Sequence, residues 1–207
     1  MKDFLLALTK LLCAVLMLPI LLSCVVNFRN HLAVYPSTYS EFFIWGVMGF
    51  LLIFLFLYQF WSVFDFGQMA MGQMAKLTAP LDGFISKMVS FYMILIVIAF
   101  YITIHFFKVD KYSHYFMFFA GFFSAMHILL TSQQLQEEEK MPIKPSYLLS
   151  MSIIFIFNIF IMVVSLDIIT KSFTFPAFFN DVVSGAYQIY IDSWDRMREI
   201  GSILQGR

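Results

Sequence analysis

The feature that most restricts this sequence is the run Phe42 to Phe64, 23 residues without a single charged side chain. Wound into a helix, such a run is about 35 Å long and crosses the roughly 30 Å hydrocarbon core of a bilayer. Trp45, Tyr58 and Trp61 lie toward its ends, where aromatic side chains mark membrane boundaries. Four further apolar runs accompany it, at Phe4–Val26, Met88–Phe107, Tyr115–Thr131 and Tyr147–Leu166. In lipid the backbone must satisfy its own hydrogen bonds, and runs this continuous do so as helices. The fold class expected is an all-α integral membrane protein with about five transmembrane helices and a C-terminal amphipathic helix.

Composition points the same way. Of the 207 residues 61% are hydrophobic and 13% charged, where soluble domains carry about a quarter charged residues. A chain of this length has too little interior to hide that much apolar surface from water. The formal charge is zero, with 13 basic and 13 acidic side chains, so the clustered basic footprint of a nucleic-acid binder is missing. The bilayer is the first partner expected, with other membrane subunits or a second copy beside it, and no nucleic acid.

Two parts are expected. Residues 1–171 form the bundle, its spans near 4–26, 42–64, 88–107, 115–131 and 147–166, and residues 172–207 an extramembrane helix. Lys10 sits near one end of the first span, where its stem can snorkel, and Pro19 is expected to kink that helix. The run Tyr115–Thr131 is short, and gains length if its helix continues through Gln133, Gln134 and Gln136. The polar stretch 108–113 predicts a tight turn, making its flanking helices antiparallel neighbours. The near-repeat at residues 67–75 is read as an interfacial loop or short helix, and the charged stretch 137–144 as solvent-exposed. Membrane-proximal basic residues number six on the N-terminal side and four opposite, a balance the tail reverses, so orientation is not specified.

The start of the chain loosely resembles a lipoprotein signal ending at Cys24, but Leu22 and Asp3 fit poorly and four spans follow, so a retained signal-anchor helix is expected. Beyond Lys171, either Pro176 opens a helix or Asn180 caps one. From there Phe179, Val183, Ala186, Tyr190, Ser193, Met197, Ile200 and Leu204 follow in alternating steps of four and three, an a/d seam for partner binding. A helix lying flat on the bilayer is the competing reading, favoured by Ile189, Ile191 and Trp194 beside the seam.

Ionisable and amide groups at membrane depth are the remaining candidates, because lipid penalises them unless they are paired. They are His105, His127, Asn158 and Asp167. His127 shares a ridge with Ala120, Ser124 and Thr131, and Gly121 with Ala125 forms an adjacent small pair, a pattern of close helix packing. Asn158 is expected to bond a neighbouring helix, and Asp167 to pair with Lys171 one turn on. His105 and His127 fall at different depths and cannot share an ion, and no His-x-x-x-His or Glu-x-x-His spacing occurs, so no metal, cofactor or catalytic residue is expected. Cys13 and Cys24 are about 16 Å apart along one helix, too far to bond. The function expected is that of a non-enzymatic, multi-pass subunit of a larger complex in a bacterial inner membrane. A small channel or transporter component, its pore formed by oligomerisation, is the alternative.

Overall fold

A computed structural model of the chain describes residues 2–57, 90–107, 112–138 and 145–205. These form six helices in chain order: α1 (Lys2–Leu32), α2 (Ser37–Leu57), α3 (Phe91–Phe107), α4 (Ser113–Glu138), α5 (Pro145–Thr170) and α6 (Phe175–Gln205). No strand occurs among the described residues. Four helices, α1, α2, α4 and α5, are long and apolar enough to cross a membrane. α3, at 17 residues, reaches only about 25 Å. The end of the expected second span, the first residues of the third, and the near-repeat at 67–75 lie outside the described residues, as do residues 139–144.

Several helices outrun their apolar cores. α1 continues past Val26 to Leu32 and passes through Pro19 without interruption. α4 continues through Gln133, Gln134 and Gln136 to Glu138, as its short apolar core required. α5 ends at Lys171, which adopts a left-handed φ of 56°. There the Lys171 amide donates to Ile168 O (3.4 Å) and the Ser172 amide to Asp167 O (2.9 Å), the paired bonds of a Schellman C-cap. Four residues later α6 starts at Phe175, with Pro176 in its first turn, where a missing N–H costs nothing.

Packing is organised around α5, 56% of whose apolar window is buried against 17% for α1 and for α2. The last two therefore turn most of their surface to lipid. α2 and α4 run parallel, Phe42 meeting His114 and Phe50 meeting Phe122. Their backbones touch at two glycines, a Cβ on Gly46 running into Phe118 O and one on Gly121 into Phe43 O. α3 returns antiparallel to α4, with Tyr92 stacked on Phe123 and Phe100 against Phe116, as the short turn between them predicts.

Polar bonds frame the bundle at two levels. At one end Lys10 Nζ donates to Ser146 Oγ, and Ser132 pairs with Tyr147, each at 2.8 Å. At the other end the residues around His31 on α1 and Asp167 on α5 meet. Lys10 to His31 and Ser146 to Asp167 are both 21 residues, or roughly 30 Å of helix, one bilayer core. α1 and α5 thus run parallel through one slab.

Candidate functional site

The second level holds the densest polar cluster of the described residues, built where three chain segments converge. Asp167, in the last turn of α5, is 5% exposed. Its Oδ1 accepts hydrogen bonds from the hydroxyls of Tyr35 (2.8 Å), Thr174 (2.5 Å) and Ser172 (3.0 Å). Its Oδ2 accepts from the backbone amides of Thr174 and Phe175, each at 2.8 Å. Those amides open α6, whose first N–H groups have no partner within the helix. One carboxylate therefore caps α6 and favourably meets the positive end of its dipole, while the carbonyl of the same residue closes α5.

His31, from the last turn of α1, completes the cluster. Its Nε2 lies 3.0 Å from both Tyr35 Oη and Thr174 Oγ1. Both hydroxyls spend their protons on Asp167, so each can only accept from the imidazole, which assigns the Nε2–H tautomer. The ring also packs against Tyr35 and Phe178. Tyr35, in the turn between α1 and α2, is held in the phenol form: burial raises its pKa well above the usual value, and the neighbouring Asp167 carboxylate adds to this. The arrangement is an imidazole linked through two hydroxyls to a carboxylate, with every Asp167 oxygen saturated. Such a set fixes three segments to each other and leaves no lone pair free for a ligand.

The other polar candidates sit elsewhere. His127 is buried along with Ala120, Ser124 and Thr131, and Ser124 donates to the Met93 sulfur at 3.2 Å, so that ridge faces inward. His105 is exposed on α3 and stacks on Tyr101. The α3–α4 register keeps His105 and His127 apart. Asn158 is buried, and its amide donates to Ile154 O of its own helix at 2.9 Å. No group of His, Cys, Asp and Glu able to hold a metal occurs among the described residues. A crevice of about 370 Å³ between α3 and α5 is lined by Ile94, Val97, Ile98, Phe157, Ile161 and neighbours, and offers lipid-like contact without chemistry.

α6 departs most from the sequence reading. Its first half does not stand clear of the bundle but runs back antiparallel along α1. Asn27 Nδ2 donates to Asp181 O (3.1 Å), Ser23 Oγ to Val182 O (2.7 Å), and the Tyr190 hydroxyl to Leu16 O. Gly185 leaves room for Ser23 and Asn27. The buried row is Phe178, Val182 and Ala186, one step round from the expected seam, with which it shares only Ala186. The other seam members, Phe179, Val183, Tyr190, Ser193, Met197 and Ile200, are exposed, and Leu204's side chain lies outside the described residues. The offset arises because the seam follows the whole apolar arc of α6, whereas α1 occupies only the edge carrying Phe178, Val182, Gly185 and Ala186.

Apolar spans, boundary-level polar bonds and lipid-directed faces define the class: a multi-helix membrane protein. No known protein family, curated protein or solved structure matches the chain.

Proposed function

We propose that the chain is a non-enzymatic, multi-pass subunit of a larger membrane complex, and that the outer half of α6 is a docking element for its partners. The observation that carries this is the surface of that half. From Ile191 to Ile203 every residue except Gly201 is exposed, with Trp194, Met197, Ile200 and Ile203 each at 55–58%. A helical segment of about a dozen residues gains little from its own hydrogen bonds in water, and its stability comes from packing an apolar face. Arg198 lies over the Trp194 ring at 5.5 Å, which stiffens the segment but covers little of it. The compact turns suit a bacterial inner membrane.

The double variant Met197→Asp, Ile200→Asp tests the proposal. It leaves the bundle intact, since neither side chain is part of the packed row. Native electrophoresis of detergent-solubilised membranes should show its complex reduced to the mass of at most two copies of the chain with bound detergent, at unchanged melting temperature. A complex of unaltered mass overturns the docking role, and is the outcome expected of a segment that only lies on lipid.

A further inference from the structure

We propose that the first half of α6 is itself a membrane-depth helix, and that its polar stripe is an intramembrane contact with a second copy of this chain. The inference deepens the subunit reading by naming one partner and the surface that meets it.

Depth follows from register. α6 leaves the polar cluster at Asp167 and proceeds back along α1, from the contact of His31 with Phe178 to that of Tyr190 with Leu16. These α1 positions are 15 residues apart, roughly 22 Å of a helix whose ends lie at the two polar levels. Between Val182 and Ile191 α6 has no charged side chain; Asp181 precedes this stretch and Asp192 follows it. The uncharged stretch covers about 15 Å in the middle of the slab, with Asp181 and Asp192 on the sides toward the two polar levels. By composition alone the helix is not apolar enough for a span, because Asn180, Asp181, Gln188 and Asp192 interrupt it.

Those two residues name the partner. At 100° per residue α6 shows three longitudinal strips. Phe178, Val182 and Ala186 are buried against α1. Phe179, Val183, Tyr187 and Tyr190 are exposed and apolar, as a lipid-facing strip should be. The third strip, Asp181, Ser184, Gln188, Asp192 and Asp195, is also exposed; the Ser184 hydroxyl donates to Asn180 O of its own helix, and lipid cannot satisfy Gln188. Polar side chains at mid-membrane drive helices together by hydrogen bonding across the contact. Two copies inserted with the same topology are related by an axis along the bilayer normal, so equivalent residues meet at equal depth. Gln188 then faces Gln188 of the second copy, and a primary amide is self-complementary because it both donates and accepts, while Asp181 and Asp192, one turn beyond Ser184 and Gln188, diverge from their like-charged equals as the two helices cross. Ser184, one turn away, brings a small side chain that permits close approach.

Cysteine crosslinking in native membranes tests this, in a Cys13→Ser background because Cys13 is exposed and Cys24 buried. Ser184→Cys and Gln188→Cys should each yield a disulfide-linked homodimer on mild oxidation, while Tyr187→Cys on the lipid strip should not. Adding Gln188→Leu should lower the Ser184→Cys crosslink about fivefold or more, and Gln188→Asn should restore part of it. Modification of Gln188→Cys by a membrane-impermeant thiol reagent without crosslinking would show the strip in water and overturn the proposal. Absence of both crosslink and modification also overturns it, since another molecule then covers the strip. Either negative result leaves the docking role of Met197 and Ile200 standing, and an unaltered complex mass in that double variant leaves the crosslink standing.

Discussion

Asp167 shows how far a single side chain's role can lie from its neighbours in sequence. Spacing suggested Lys171, one turn on, as its partner. Its carboxylate is instead filled by Tyr35, Ser172, Thr174 and two backbone amides. Tyr35 lies 132 residues away in a turn whose position no periodicity announces. The local half of the arrangement was legible in principle: an acidic residue ending one helix, then Ser172, Thr174 and Pro176 opening the next, is a cap shared between two helices. Asp167→Asn turns an acceptor into a donor that faces other donors. It should cost about 3 kcal/mol by leaving buried N–H or O–H groups unmet. Thermal unfolding in detergent measures this, and a loss below about 0.5 kcal/mol would show that the cluster contributes nothing to holding α6.

At the scale of elements, apolar runs located the helices because lipid imposes length and continuity on them. The ends were less visible. α1 and α5 each run beyond their apolar cores into polar residues that bond across the bundle, which depends on a neighbour being at hand. The helix contacts were legible only in part. Gly121 was recognisable as a packing residue, but its counterpart Gly46 became evident only with α2 and α4 side by side. At that crossing the added methyl of Gly46→Ala or Gly121→Ala meets a backbone carbonyl that cannot rotate away. Each should cost about 3 kcal/mol or more. Gly49 is the internal control: a Cβ there meets the Phe118 ring at 3.5 Å, an ordinary contact. Gly49→Ala should therefore gain about 0.5–1 kcal/mol from helix propensity. Equal melting shifts for all three variants would mean that α2 and α4 do not approach so closely.

For the whole molecule, the two polar levels make a claim about sidedness that charge counting could not. The first turn of α2, which holds Thr38, and the α5–α6 junction holding Phe173 belong to the level of the His31–Asp167 cluster, and Gln136 to the level of Lys10 and Ser146. In the Cys13→Ser background, Thr38→Cys and Phe173→Cys should react with an impermeant maleimide from one face of sealed vesicles, and Gln136→Cys from the other. Gly201→Cys discriminates further. Five crossings followed by a free tail put it with Thr38. A return of α6 along α1 carries it roughly 40 Å from the start of α6, past the Lys10 level, and puts it with Gln136. Joint labelling of Gly201→Cys and Thr38→Cys would mean that α6 leaves α1 in the bilayer and that its polar strip is met by water, which would remove the physical reason for a second copy to cover it.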